Sequence, residues 1–308
     1  MSETSRPEGP PSLDPVASKR WASWPHAHSP WLNEEIARRM EDRLQWIRLQ
    51  PQSWVHWAPL TGGLQAHKLL KARYPKAPCH LIETSLAREQ IVKRSLLGAD
   101  WLVWLKKLFG SKTDSFGPPQ PGGADMLWAN MALHTSSDPQ GLLQKWHQML
   151  AVDGFLMFSC LGPDTLRELN EMYQKMGWPP ACHAFTDMHD WGDMLVQAGF
   201  AEPVMDMERI TLTYDSPNAL LAEMRALGRN LHRGRFAGLR GRKWLESLEK
   251  ALLLLAKVEQ NGRLAISVEV IYGHALKPLP RLKVQGETTV ALQDMRVLLG
   301  QSLNDLAV

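Results

Sequence analysis

Two apolar runs separated by a segment with helical spacing form the clearest pattern in the chain. Residues 124–129 and 155–160 are almost wholly apolar, which is typical of strands buried on both faces of a parallel sheet. Between them, apolar residues recur at helical spacing over 142–150. The pattern therefore predicts a strand–helix–strand unit. Ligands bind beyond the carboxyl ends of such strands, so the loops at 130–138 and 161–165 are expected to line a site.

The rest of the pattern predicts further alternation of helices and strands. Strands are predicted at 53–58, 79–82, 204–214 and 264–276, and helices at 30–49, 64–73, 163–176, 188–198, 217–227 and 240–258. Residues 99–104 fit either a short strand or a helical segment. Residues 112–123 are rich in Gly and Pro, which predicts a long loop that is mobile or acts as a lid.

Composition along the chain predicts three regions. Residues 1–28 are rich in Pro, Ser and charge and are predicted to be a disordered tail. Residues 29–278 are predicted to form one domain, in which an insert at about 163–190 acts as a cap. Residues 279–308 are predicted to be a tail with one short helix at 291–299.

Charge and cysteine content narrow the classes of function. The formal net charge of +3 is too small to favour nucleic-acid binding. No segment is long and apolar enough for a membrane span, and the N-terminus lacks the apolar core of a secretory signal. The three cysteines lie far apart, which is typical of reduced thiols and not of a disulfide framework or a metal site. A cytoplasmic protein without a metal, a membrane partner or a nucleic-acid partner is expected.

Three segments of the chain carry a resemblance to a known family. They are Asn130-Met131-Ala132-Leu133, Leu161-Gly162-Pro163-Asp164-Thr165-Leu166, and Gly228-Arg229-Asn230 together with Gly234-Arg235. The chain resembles the class I S-adenosylmethionine (SAM) methyltransferases over roughly residues 28–278. More narrowly, it resembles the malonyl-acyl-carrier-protein O-methyltransferases of biotin synthesis, and the last two segments are fairly specific to that family.

The resemblance implies a fold, a cofactor and a reaction. The fold is an α/β sandwich of the Rossmann-like SAM-methyltransferase type, with seven strands in a mostly parallel sheet and an antiparallel edge strand, for which 264–276 is the candidate. The cofactor is SAM, and the partner is acyl-carrier protein bearing malonyl-phosphopantetheine, whose free carboxylate is methylated. A carboxylate is already ionised at pH 7, so no residue is assigned as a catalytic acid or base. Catalysis then depends on alignment and desolvation.

The same resemblance points to Gly62, Glu83 and Asn130 as cofactor-binding residues. Gly62 lies in the turn after the first strand, where glycine lets the backbone approach the cofactor. Glu83 ends the second strand, where a carboxylate can accept hydrogen bonds from ribose hydroxyls. Asn130 lies at the switch in strand order, with His134 and Asp138 following in the same loop. Each residue also has a structural interpretation, as part of a turn, a strand end or a turn cap.

The first turn departs from the family pattern Asp-x-Gly-x-Gly-x-Gly. The chain has His56-Trp57-Ala58-Pro59-Leu60-Thr61-Gly62, so His56 replaces the acidic residue and only one of these glycines remains. Leu60 is expected to crowd the cofactor, and Pro59 removes an amide donor. Weak or lost SAM binding is therefore expected as one outcome. The alternative function is a catalytically impaired homologue that acts as a protein-binding or regulatory module.

A basic segment follows the helix predicted at 217–227. Arginine makes bidentate contacts with carboxylates and phosphates, which suits a malonyl group or a phosphopantetheine arm. The predicted substrate-binding residues are Arg225, Asn230, His232 and Arg235. The alternative is a solvated basic turn without a ligand.

Overall fold

The computed structural model describes residues 12–97, 114–257 and 261–280. Met1–Pro278 form one compact unit, and Leu279–Val308 form a second. The helix predicted at 291–299 and the segment predicted at 99–104 lie outside the described residues.

The strands of the first unit form one mixed sheet. They are β1 (Trp54–Trp57), β2 (Cys79–Ile82), β3 (Ser115–Phe116), β4 (Ala124–Ala129), β5 (Leu150–Leu161), β6 (Ala201–Tyr214), β7 (Ala256–Lys257) and β8 (Arg263–Leu276). The order is β3-β2-β1-β4-β5-β8-β6, and the two-residue β7 pairs with β8 outside this path. Strands β1 to β5 are parallel, and β8 is antiparallel to both β5 and β6. The predicted fold class is confirmed. Strand β8 is the antiparallel strand, as predicted, but its assignment as the edge strand is wrong, because β6 pairs along its outer side.

Ten described helices surround this sheet. They are α1 (Pro15–Ser23), α2 (Trp31–Arg43), α3 (Pro59–Gly62), α4 (Leu64–Arg73), α5 (Leu86–Leu97), α6 (Pro139–Met149), α7 (Arg167–Lys175), α8 (Met188–Gln197), α9 (Pro217–Leu227) and α10 (Arg242–Leu253). Short 3₁₀ helices occupy Leu44–Trp46 and Leu133–Thr135. The loop predicted at 112–123 contains the two-residue β3 within its described part.

The core has one apolar cluster on each face of the sheet. Side chains alternate along a strand, so Trp54 of β1 belongs to one cluster while Val55 and Trp57 belong to the other. All four residues of β1 are buried, which is typical of a central parallel strand covered by helices on both sides. Both faces of the sheet are therefore covered, which leaves the loops beyond the carboxyl ends of its strands as the place for a ligand.

The N-terminal segment differs from the predicted disorder. Residues 12–28 are described, and within them Pro15–Ser23 form α1. Asp14 caps this helix by accepting hydrogen bonds from the Val16 and Ala17 amides, and Pro15 occupies its first turn. Leu13 is buried and pairs with His232 in an isolated antiparallel bridge. The composition of this segment suggested disorder, but its Asp-Pro pair is also a helix start signal, and tertiary contacts fix the helix.

The segment Leu161–Leu166, which carries much of the resemblance, leads from β5 to α7 and is hydrogen-bonded to β8. The Gly162 amide donates to the Glu269 carbonyl at 2.9 Å, and the Thr165 hydroxyl donates to the same carbonyl at 3.0 Å. A Cβ atom at Gly162 would lie 2.5 Å from Glu269 Oε1, so a larger residue would displace a side chain that is 7% exposed. In this structure the segment fixes the chain leaving β5 and sets the start of α7.

Candidate functional site

A cavity of about 710 Å³ lies beyond the carboxyl ends of β1, β4 and β5. Its volume falls within the range of about 300–1,000 Å³ that is usual for small-molecule sites. Its walls are formed by the turns after β1, β2, β4 and β5, by residues 181–183 and 185, and by the end of α9 with the loop after it. Helix α1 forms another wall through Pro15, Ser18, Lys19, Trp21 and Ala22.

The end of α1 is fixed by Arg88 of α5 and by Thr84. Arg88 donates to the carbonyls of Trp21 and Trp24 at 2.7 and 2.8 Å, and its side chain is almost wholly buried. Thr84 donates to the Ala22 carbonyl at 2.5 Å. A cation at the carbonyl end of a helix is a favourable arrangement, because it satisfies acceptors that lack intrahelical partners. Arg88 had no role in the sequence interpretation, since an arginine inside a helix gives no local signal.

Two predicted substrate-binding residues lie at the start of α1 and do not line the cavity. Arg235 forms an ion pair with Asp14 at 2.7 Å, which lowers the pKa of that carboxyl, and it also donates to the His232 carbonyl. The His232 ring accepts a hydrogen bond from the Gly234 amide. Substrate binding by His232 and Arg235 stays a prediction, and the contacts described make them anchors of α1.

The other two predicted substrate-binding residues line the cavity. Asn230 donates to the Pro180 carbonyl at 2.6 Å and accepts from the His232 amide, so both ends of its side chain have protein partners. The Arg225 guanidinium has no ion pair or hydrogen bond with any residue in the described part of the chain. Among the four predicted residues, Arg225 is therefore the one with a charge available to a ligand.

The turn after β1 faces the cavity through small side chains. Ala58 and Thr61 line it, whereas Leu60 is fully buried in the core cluster that contains Trp54. The expectation that Leu60 crowds a cofactor is wrong, because the short helix α3 turns this side chain into the core. Ala58 has φ 49° and ψ 54°, a left-handed conformation that favours glycine.

Replacing Ala58 by glycine should therefore stabilise the protein. A non-glycine residue in the left-handed conformation costs about 1–2 kcal/mol of stability, which glycine would remove. Glycine also makes the unfolded chain more flexible, which lowers the free energy of unfolding by about 0.4–1 kcal/mol. A net gain of roughly 0.5–1 kcal/mol is expected in urea unfolding. Leu60→Ala is the contrasting variant and should lose about 2–5 kcal/mol as a core truncation. A loss of stability in Ala58→Gly would contradict this account.

Glu83 lies against the same turn without lining the cavity. Its Oε1 accepts from the Leu60 amide at 2.7 Å, and its Oε2 accepts from the Thr84 amide at 3.3 Å. Burial raises the pKa of Glu83, and the two amides act in the opposite direction. The carboxylate is thus a support for the β1 turn, and contact with a ribose stays a prediction.

Gly62 and Asn130 are hydrogen-bonded to each other behind the β1 turn. The fully buried Asn130 amide donates to the carbonyls of Gly62 and Asn33, at 2.5 and 2.8 Å, and its oxygen accepts from Ser159 at 2.5 Å. A Cβ atom at Gly62 would lie 3.2 Å from the Asn130 carbonyl oxygen, which explains why glycine remains there. Cofactor contact by Gly62 or Asn130 stays a prediction, because neither lines the cavity.

Three polar residues line the cavity without having been predicted as site residues: Asn33, His183 and His134, the last of which was named only as part of the loop after Asn130. Asn33 of α2 donates to the Thr61 carbonyl at 2.8 Å, and its buried Oδ1 has no partner in the described part of the chain. His134 accepts from the Leu161 amide through Nδ1 at 3.4 Å, so Nε2 carries the proton. Burial lowers the pKa of His134 to about 3, so this ring is a neutral donor at pH 7. His183 donates through Nε2 to the His134 carbonyl at 3.0 Å. Asp138, in contrast, caps α6.

His56, in place of the family's acidic residue, lies outside the cavity in a buried chain of polar groups. Its Nδ1 is 3.4 Å from His67 Nδ1, and His67 Nε2 is 3.5 Å from the Asp114 carboxylate, which also binds Lys71. His56 is fully buried, and its Nε2 has no partner among the described residues. Burial, and then the neighbouring His67, hold the pKa of His56 well below its ordinary 6.5.

This buried histidine should make the protein less stable at mildly acidic pH. Below about pH 6.5 His56 is protonated in the unfolded chain but stays neutral in the folded chain. The free energy of unfolding therefore falls as the pH falls, by up to about 1.4 kcal/mol per pH unit. Urea unfolding of wild type and His56→Gln between about pH 7 and pH 5 should show a smaller slope in the variant. His189→Gln is the control, because His189 is exposed beside Asp187. Equal slopes in wild type and His56→Gln would contradict the assignment.

Comparison with solved structures supports the architecture described above. A crystal structure of a methyltransferase candidate from Bacillus halodurans superimposes with a TM-score of 0.52 at 12% identity, covering 78% of this chain and 99% of that one. The YcgJ protein from Bacillus subtilis gives a TM-score of 0.50 at 12% identity, covering 79% and 99%. At such identities the likeness concerns the fold alone. The fold is therefore the one found in these methyltransferase-like structures, with a cavity at the carboxyl ends of the central strands.

Comparison with curated proteins gives the family. The chain is 36% identical over 269 residues to the malonyl-[acyl-carrier protein] O-methyltransferase of Gallionella capsiferriformans, covering 84% of this chain and 88% of that protein. It is 38% identical over 259 residues to the enzyme of the same name from Laribacter hongkongensis, covering 81% and 84%. The chain belongs to the malonyl-[acyl-carrier protein] O-methyltransferase family. No family model matches the chain.

Membrane-spanning helices and metal-binding clusters are both absent from the described residues. None of the helices within 12–97, 114–257 and 261–280 is long and apolar enough to cross a membrane. The same residues contain no group of three or more His, Cys, Asp or Glu side chains arranged to hold a metal ion.

Proposed function

We propose that this protein is a SAM-dependent O-methyltransferase that acts on the free carboxylate of a malonyl group carried by acyl-carrier protein, an early step of biotin synthesis. The observation that carries the proposal is the cavity beyond β1, β4 and β5, which combines a largely apolar wall with Arg225, a cation without a carboxylate partner among the described residues. The names of the relatives supply the substrate and the carrier partner.

The residues around the β1 turn fit a SAM molecule. Of the β1 turn, Ala58 and Thr61 line the cavity, whereas the Leu60 side chain is buried in the core. Asn33 lines the same wall, and its buried Oδ1 has no partner among the described residues, so an ammonium group that reached it would supply the missing donor. Ala58, Thr61 and Asn33 would therefore hold the cofactor, with Gly62, Glu83 and Asn130 supporting the turn from behind. Bound SAM supplies an electrophilic methyl group on a positively charged sulfur.

The protein's own contribution is to bind, desolvate and align the carboxylate. Arg225 would orient the malonyl group by a charge-assisted contact, leaving one oxygen free to react. The neutral His134 offers an Nε2 proton, suited to a carbonyl oxygen of the thioester. Helix α1, which forms one wall of the cavity, would exclude water from the carboxylate. The interactions of the carboxylate with Arg225 and His134 would then be stronger. No proton is transferred, since the carboxylate reacts in its ionised form and leaves as a neutral methyl ester.

The alternative of a catalytically impaired homologue depended on the altered β1 turn. Its main steric argument was Leu60, and this side chain lies in the core. Of the remaining departures, His56 and Pro59 lie outside the cavity lining, and Ala58 puts only a small side chain there. These placements favour the enzyme.

The test is methyl transfer to purified carrier protein. Malonyl-carrier protein incubated with the purified chain and SAM should gain the mass of one methylene unit, with release of S-adenosylhomocysteine. Carrier protein bearing the corresponding amide, malonamyl-carrier protein, is the control and should gain nothing, because its carboxylate is blocked. Absence of a methyl ester, with SAM binding and folding verified by calorimetry, would contradict the proposal.

A further inference from the structure

A surface segment next to the cavity combines a high density of unpaired cations with exposed apolar side chains. Between Glu223 and Glu246 there are seven arginines and lysines and no aspartate or glutamate. They are Arg225, Arg229, Arg233, Arg235, Arg240, Arg242 and Lys243. Among the described residues, only Arg235 of this set pairs with a carboxylate, that of Asp14.

The segment begins in the cavity wall and continues outward. Arg225 and the residues 227–231 line the cavity, and 232–243 follow directly. Within the outer part, Leu239 is fully exposed and Phe236 is half exposed, although both are large and apolar. Exposed apolar side chains surrounded by unpaired charges are typical of a protein-binding surface, where apolar groups are buried on association and charges select the partner.

Two features bear on how this surface would meet a partner, and the first of them is unfavourable to folding. Arg242 and Lys243 occupy the first turn of α10, where the helix dipole disfavours cations and no acidic residue compensates. Arg240 is fixed above the rings of Trp244 and Phe236, at 4.0 and 4.5 Å from the ring centres. The surface thus presents a positioned guanidinium and two further cations that a negatively charged partner would stabilise.

We propose that Phe236, Leu239, Arg240, Arg242 and Lys243 form the surface on which the acyl-carrier protein docks, by its acidic face. This inference rests on the proposed function, which supplies the carrier partner. A carrier protein bound there would lie beside the loop 227–231, so that its acyl-phosphopantetheine arm could enter the cavity next to Arg225. Opposite charges also steer the encounter, and salt weakens that steering within a screening length of about 10 Å at 0.1 M.

The experiment compares carrier-bound and carrier-free substrates in charge-reversed variants. The docking variant is Arg242→Glu with Lys243→Glu, and acidic residues in the first turn of α10 favour the helix. The matched control is Lys68→Glu with Arg94→Glu, which makes the same change in net charge at exposed positions of α4 and α5. Carrier binding is measured by fluorescence anisotropy of labelled malonyl-carrier protein, and methyl transfer is measured with malonyl-carrier protein and with malonyl-pantetheine.

The docking variant should weaken carrier binding and raise KM for malonyl-carrier protein by roughly tenfold or more. KM for malonyl-pantetheine should be unchanged, and the dependence of carrier binding on salt should become shallower. The control variant should match wild type. Equal carrier affinity in the docking and control variants would overturn the docking surface, whatever the turnover. Carrier binding that depends on Arg242 and Lys243 without methyl ester formation would instead overturn the proposed function and leave the docking surface in place.

Discussion

Asn130→Asp should lower the free energy of unfolding more than any other polar substitution proposed for this site. The Asn130 amide donates to two buried carbonyls, of Gly62 and Asn33, and aspartate has no donor for either in its ionised form. Each buried acceptor left without a donor costs about 1–3 kcal/mol, so a loss of about 2–6 kcal/mol is expected. Thermal unfolding should show a fall in Tm of at least about 5 °C.

Ser159→Ala is the control that isolates the other side of the same network. It removes the hydroxyl that donates to Asn130 Oδ1 but leaves both amide donations in place, so a smaller loss is expected. Binding of SAM, measured by calorimetry at a temperature where each variant is folded, separates support of the turn from direct contact. If Asn130→Asp keeps wild-type stability and loses only SAM affinity, Asn130 is a cofactor contact and not an anchor.

The sequence predicted the elements of the sheet well because burial and alternation are local properties. The strands at 79–82 and 124–129 and the helix at 64–73 have the predicted bounds, since strong apolar patterns and turn residues mark their ends. The prediction of a disordered tail was wrong for residues 12–28, because the contacts that hold α1 come from Arg88 and from Arg235, far along the chain. Composition cannot show such contacts.

The site was predicted less well than the fold, for the same reason. The position of the cavity follows from the strand order, and Arg225 follows from the need for a cation near a carboxylate. The direction of Leu60 depends on the short helix α3, whose left-handed entry at Ala58 gives no apolar pattern. Asn33 was not predicted as a site residue, because one buried polar residue in an amphipathic helix is usually explained by capping or packing. Sequence gives the types of residue near a site, and packing decides which of them face it.

Substitution of Arg225 should affect catalysis more than that of any other residue lining the cavity. The guanidinium lines the cavity and has no partner among the described residues, so a substrate carboxylate would be its first anionic contact. A charge-assisted hydrogen bond is worth about 1.5–3 kcal/mol, which corresponds to roughly ten- to a hundredfold in kcat/KM. Arg225 is also exposed, so solvent screening places the expectation for Arg225→Gln near the lower end, at about tenfold.

The measurement is steady-state methyl transfer to malonyl-pantetheine, which avoids any effect of carrier docking. Arg225→Gln should lower kcat/KM while SAM affinity by calorimetry stays at the wild-type value, because the residues proposed to hold SAM, Ala58, Thr61 and Asn33, come from the β1 turn and α2, whereas Arg225 belongs to α9. Arg225→Lys keeps the charge but loses the paired donors, so it should recover only part of the activity. Full activity in Arg225→Gln would remove this residue from substrate binding. The carboxylate would then have to be held by another cation of the wall, of which Lys19 on α1 is the first to test.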